Sequence, residues 1–161
     1  MKLKQRMYYP PTAPQLSKYR LVDMFTSVTE ESVKTNIIQN FTSPDGCCRV
    51  VIGTIAFGMG LDSPNVRKVL HWGPSADLES YVQESGRIGR DGQPATAILY
   101  FERNDLSAIK HVSEGMKEYC MNVNKCRKDV LFASFDPSVI ADTSTSPPSC
   151  TDVCCDICSK T

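Results

Sequence analysis

The stretch "CRVVIGTIAFGMGLDSPNVRKVLHWG", residues 48–73, decides the fold. It opens on "CRVVIGTI" (48–55), an apolar, β-branched run with the length and composition of a buried parallel strand. A loop with Gly58 and Gly60 follows, then Asp62, and "VRKVLHW" (66–72) reads as a second strand ending at His71 and Trp72.

The flanks repeat this alternation. "YRLVDMF" (19–25) reads as a short strand. "TEESVKTNIIQNF" (29–41) reads as an amphipathic helix with a capping residue, an acidic first turn and Val33, Ile37, Ile38 and Phe41 on one face. "SPDG" (43–46) is a turn. Beyond the central stretch, "ADLESYVQESGR" (76–87) predicts a helix and "ATAILYF" (95–101) a third buried strand. The order β-α-β-β-α-β followed by helices predicts an α/β fold with a parallel sheet. Two further helices are expected over 103–120 and 124–135, and the Pro/Ser/Thr-rich residues 136–149 should be loop. Residues 1–18, with three prolines and no period, form an irregular lead-in whose Lys2, Lys4 and Arg6 read as a solvated basic tail.

Composition narrows the function. The chain has 161 residues, 41% of them hydrophobic, which is enough for an ordinary core. Lys plus Arg and Asp plus Glu both number 18, so the net charge is zero and nucleic-acid binding must use a local patch. No apolar run approaches a membrane span of about 18 residues and no signal peptide follows Met1, so the chain reads as soluble and intracellular.

"QESGRIGRDG" (83–92) sets Arg87 and Arg90 three residues apart, each directly preceded by glycine. Gln83, Arg87 and Arg90 are expected to project from roughly one side of a helix. Glycines let backbone and guanidinium groups approach a bulky anion. Arginine presents a planar fork that matches phosphate oxygens and keeps its charge, which suits a triphosphate whose charge grows in the transition state. Salt-bridged arginines at a helix end are the competing reading.

"TIAFGMGLDSPNVRKVLHWG" (54–73) and "YVQESGRIGRDG" (81–92) together resemble motifs V and VI of the RecQ family of DNA helicases, in the right order and roughly the right separation. The resemblance runs from about Tyr19 to Cys158. It implies a RecA-like helicase C-terminal lobe over 19–103, lacking its first strand and helix, followed by a small helical zinc-binding hairpin over 104–161. By the same resemblance Arg90 occupies the arginine-finger position, Arg87 the neighbouring phosphate-sensing position, and Gln83 is placed to orient it. Gly60 and Asp62 match residues that line the nucleotide, and Thr54 a position near the DNA backbone. Ile88 stands where the family carries a small residue, and Gly53 where alanine is commoner.

The chain contains no G-x-x-x-x-G-K-[ST] loop and no D-E-x-H motif, so its 161 residues hold neither a phosphate cradle nor Mg2+ ligands of that type. The resemblance therefore implies part of an ATP-driven 3′-to-5′ DNA helicase, working with a first RecA-like lobe that binds ATP and Mg2+, on single-stranded or forked DNA in the nucleus. The chain alone is not expected to hydrolyse ATP. The alternative is a non-enzymatic zinc-containing module that binds DNA or a protein partner.

Eight cysteines are unevenly placed, with Cys150, Cys154, Cys155 and Cys158 crowded at the C-terminus. In an intracellular chain such a cluster suggests metal, and a run of free thiols is the competing reading. Cys155 and Cys158 have the C-x2-C spacing of a zinc knuckle. The resemblance supplies Cys126 as the first ligand and gives the set Cys126, Cys150, Cys155 and Cys158. Cys154 is an alternative to Cys150, disfavoured because neighbouring side chains diverge in extended chain. Cys47, Cys48 and Cys120 read as small apolar fillers. His71 reads as a structural histidine, and His111 as an exposed or capping one.

Overall fold

The computed structural model describes residues 7–54, 65–108, 112–135 and 154–160. Gly60, Asp62, His111 and Cys150, together with Lys2, Lys4 and Arg6, lie outside the described residues. The chain divides into two compact units: residues 1–67 with 87–95, and residues 68–86 with 96–161.

In the first unit, β1 (Val22–Phe25) pairs in parallel with β2 (Val50–Gly53), with Val22 opposite Val50 and Phe25 opposite Gly53. The connection is α1 (Glu31–Thr42), which packs on β1 and buries Ile37. Thr29 does not cap α1, contrary to the expectation from the sequence. Its hydroxyl accepts from Thr26 N–H at 3.0 Å, and Glu30 stands at the N-cap with no side-chain bond. Asn40 ties the other end: its side-chain oxygen accepts from Cys47 N–H at 2.8 Å, and its amide donates to the Ser17 carbonyl. Asp23 is buried and accepts from Arg20 Nη1 at 2.9 Å, so the buried carboxylate is paired.

In the second unit, β3 (Lys68–Trp72) pairs in parallel with β4 (Thr96–Tyr100), from Lys68 opposite Thr96 to Trp72 opposite Tyr100. Helix α2 (Leu78–Ser85) starts at Asp77, whose carboxylate accepts from Ser80 N–H at 2.7 Å. Next come α3 (Arg103–Ala108), α4 (Glu114–Met121) and α5 (Arg127–Phe135). The expected single helix over 103–120 is two helices, because Ser113 adopts extended backbone and caps α4 by accepting from Met116 N–H. Leu78 and Tyr81 of α2 join Val112, Met116, Tyr119 and Cys120 in one core, against which Leu99, Phe101, Leu106, Val130 and Leu131 pack.

The strands are not buried on both faces as expected. Met24, Val50 and Ile52 share one exposed face of the β1–β2 pair, and Leu70, Trp72 and Tyr100 one exposed face of the β3–β4 pair. Burial on both faces needs helices on both faces. Among the described residues, α1 packs on β1 beside buried Phe25 and Asp23, and the Tyr81 ring of α2 sits on the face of β3 that carries His71.

Met116 is fully buried at the centre of the second unit's core. Met116→Ala should therefore cost about 2–5 kcal/mol by loss of contacts and cavity formation, read as a lower urea midpoint at unchanged slope.

Candidate functional sites: an arginine loop and a four-thiol cluster

Helix α2 ends before the two arginines, so Arg87 and Arg90 do not share its face, contrary to the expectation. The Ser85 hydroxyl donates to the Tyr81 carbonyl at 2.6 Å, and Gly86 N–H closes the last turn onto Val82. Local bonding of this kind competes with helix continuation. Gln83, on the exposed side of α2, donates to Glu79 at 3.3 Å.

The loop that follows turns on two left-handed glycines, Gly89 at φ 64° and Gly92 at φ 76°. A Cβ at Gly89 would also sit 3.0 Å from both Ala95 Cβ and the Gln93 carbonyl, so glycine is required there twice over. Gly92 N–H donates to the Gly89 carbonyl at 2.9 Å. Arg90 is exposed on this loop, whereas the Nε of Arg87 is buried with no hydrogen-bond partner among the described residues. Ile88 is half-buried between them. In the same unit, Thr54 is exposed just past β2, its N–H donating to the Phe25 carbonyl at the strand end.

His71 is almost fully buried at the side chain, with Nδ1 3.3 Å from Glu84 Oε2 and its ring 4.9 Å from that of Tyr81. Burial lowers its pKa below the usual histidine value, against an upward pull from Glu84. The neutral ring suits the structural role expected from the sequence, though Nε2 has no partner among the described residues.

The second site is a cluster of thiols. Cys126 Sγ lies 3.4 Å from Cys154 Sγ, which is 3.7 Å from Cys158 Sγ, which is 3.5 Å from Cys155 Sγ. All four sulfurs fall within 4.8 Å of one another. Ligands at ~2.3 Å around a tetrahedral ion are about 3.8 Å apart, so four thiols at these separations can converge on one metal ion. Cys154, disfavoured on sequence grounds, is part of the cluster. Two neighbouring cysteines can converge because residues 154–160 turn, ending in a short helix at Cys158–Lys160, instead of running extended.

A residue that carries no signal in the sequence holds this turn. Arg127, the first residue of α5, donates through Nε and Nη2 to the two oxygens of Asp156, Nη2 at 3.0 Å. Its Nη1 reaches the Tyr119 carbonyl at 3.0 Å and its guanidinium lies 5.4 Å over the Tyr119 ring. No periodic or motif signal links positions 29 residues apart. Burial raises the Cys155 pKa, but backbone N–H donors of Arg127, Cys158 and Ile157 and the Cys158 thiol outweigh it and bring the value down to about 6. Hydrogen bonding with Cys155 and Cys126 pushes the Cys158 thiol up to about 12. Cys48 and Cys120 are buried, as expected of fillers, and burial pushes both thiols up.

Residues 10–92, over half of the chain, match the family described as helicase conserved C-terminal domain. The chain belongs to that family. Its relatives are RecQ helicases, as the two motifs suggested. It is 40% identical over 119 residues to mouse (Mus musculus) "ATP-dependent DNA helicase Q1", covering 68% of this chain and 18% of the relative. Over 101 residues it is 41% identical to "ATP-dependent DNA helicase Q-like 2" of Arabidopsis thaliana, covering 56% of this chain and 14% of the relative. The chain thus spans less than a fifth of these relatives. A chain in the crystal structure of the E. coli DEAD-box protein SrmB bound to regulator of ribonuclease activity A overlaps 63% of this chain and 71% of its own, at 18% identity and a TM-score of 0.47. Among the described residues no helix is long and apolar enough to cross a membrane.

Buried Cys48 and Cys120 should resist alkylation. Peptide mapping after brief iodoacetamide treatment should leave both unmodified while the fold is intact, and find both modified once it is lost in denaturant.

Proposed function

We propose that this chain serves as the second RecA-like lobe of an ATP-dependent 3′-to-5′ DNA helicase of the RecQ type, residues 19–103, followed by a zinc-binding segment in residues 104–161. The observation that carries this reading is the 40% identity to a DNA helicase over 119 residues. ATP with Mg2+ sits on a first lobe, and Arg90 reaches the γ-phosphate as charge accumulates on it. An exposed arginine on a loop suits that task. Arg87 senses the phosphates beside it. Gly60 and Asp62 line the nucleotide and couple it to DNA.

Thr54 offers its hydroxyl to a backbone phosphate of single-stranded or forked DNA, a contact that positions without reading sequence. With equal numbers of cationic and anionic residues, the lobe contributes few phosphate contacts, and binding is salt-sensitive. The workplace of such a protein is the nucleus.

The thiols hold one Zn2+. Cys126, Cys155 and Cys158 are three ligands, and the sulfur separations support Cys154 as the fourth in place of Cys150. The metal's contribution is a crosslink between the start of α5 and the C-terminal turn, worth ~10 kcal/mol or more in small zinc modules.

Protein made in zinc-supplemented medium should carry about one zinc per chain by elemental analysis. Cys126→Ser should remove most of it and Cys120→Ser none. Loss with Cys154→Ser but not Cys150→Ser supports Cys126, Cys154, Cys155 and Cys158 as the ligand set. The reverse pattern restores Cys150, and no zinc at all ends the metal reading.

For the arginine, the assay protein is mouse helicase Q1 with its matching segment replaced by this chain. Arg90→Ala should lower the DNA-stimulated kcat by ~10³-fold or more with ATP binding nearly intact. Arg90→Lys should recover little, since a point charge does not replace the fork. An unchanged kcat would remove Arg90 from catalysis.

A further inference from the structure

Arg90 stands between two anchored residues. Before it, Gly89 N–H donates to the Val66 carbonyl at 3.2 Å. After it, the Asp91 carboxylate takes both arms of the Arg67 guanidinium, Nη1 to Oδ1 at 2.9 Å and Nη2 to Oδ2 at 2.5 Å. Asp91 Oδ1 also accepts from Gln93 N–H at 3.2 Å. Val66 and Arg67 are consecutive, so one short segment grips the loop on both sides of Arg90.

The geometry points to Arg67 and Asp91 as a positioning pair that aims Arg90, an inference that rests on the reading of Arg90 as the arginine finger. A parallel two-bond fork fixes orientation as well as distance. Stability alone does not account for the pair, since both side chains are partly exposed, at 41% and 29%, and such ion pairs add little. Orientation is what this loop lacks. Its turns pass through Gly89 and Gly92, the residue type with the widest backbone freedom. Misplacing a reacting group by about 1 Å can cost ~10²-fold in rate. On a backbone of this kind the Arg67 fork fixes Asp91, the residue next to Arg90 along the chain.

The test uses the same Q1 chimaera for rates and this chain for local order. Asp91→Asn keeps the shape and the acceptor for Gln93 but removes the charge, and Arg67→Gln removes the fork. Each should lower kcat about ten- to a hundredfold with the KM for ATP within about twofold. Arg67→Lys should recover little and the exchanged pair Arg67→Asp with Asp91→Arg a substantial part. Combined with Arg90→Ala, neither variant should lower kcat further, because the pair acts through that side chain. In this chain, Asp91→Asn should speed amide exchange at Gly89 and Gln93 and leave β1 and β2 unchanged.

Losses that add to that of Arg90→Ala, or an unaffected kcat, would overturn the pair's role while leaving the arginine finger standing. Indifference of kcat to Arg90→Ala would overturn both. Should the chimaera be inactive, unchanged exchange at Gly89 and Gln93 in Asp91→Asn would by itself overturn the inference.

Discussion

The C-terminal unit is organised around the guanidinium of Arg127. It sits at the start of α5, lies over the Tyr119 ring, donates to the Tyr119 carbonyl and forks onto Asp156. A partly buried cation must find acceptors, and the acceptors within reach come from α4 and from the C-terminal turn. That requirement brings residues 154–160 to Cys126. The pair is not strong enough to hold them there alone. Asp156 is more than half exposed, and an ion pair of that kind contributes at most about 1 kcal/mol. Joining the turn to α5 closes a long loop, which costs several kcal/mol of chain entropy. A metal ion held by the four thiols would supply the larger energy, and Arg127 with Asp156 supplies the geometry in which the thiols converge.

Glycine plays the corresponding part in the arginine loop. Gly86 follows the last helical residue, with Val82's carbonyl 2.9 Å from where a Cβ would stand. Gly89 and Gly92 then take left-handed turns that a side chain would oppose. The helix thus ends at Ser85 and the arginines follow on the loop. Why each arginine follows a glycine has a structural answer: the glycines put both arginines off the helix.

Much of this is legible in the sequence because it is local. The parallel strands at 22–25, 50–53, 68–72 and 96–100 fall inside the apolar runs that announce them, and α1 and α2 fall where helical spacing places them. The α/β class with parallel strands of a helicase C-terminal domain follows from that order and is matched by the family. What the sequence hides is non-local or depends on one dihedral. The break between α3 and α4 turns on extended backbone at Ser113, a residue that also occurs inside helices. Arg67 meets Asp91 across 24 positions and Arg127 meets Asp156 across 29, separations with no periodic signature. Strand burial is overestimated from sequence because an apolar run reports what a strand can cover, not whether a second layer covers it.

The helix that leads into the arginine motif and the helix that leads into the thiol cluster share one aromatic stack. His71 lies 4.9 Å from Tyr81, and Tyr81 lies 5.4 Å from Tyr119, whose ring carries Arg127. Burial raises the pKa of both tyrosines, so each phenol stays protonated and the stack carries no charge of its own. Closely packed interiors transmit displacement because they leave little room to absorb it. Loosening the thiol cluster frees Arg127, which withdraws a bond from Tyr119 and a neighbour from Tyr81. The face of α2 opposite Gln83 is then less firmly seated. A metal ion held by the four thiols would therefore add, through Arg127 and this packing, to the order of α2.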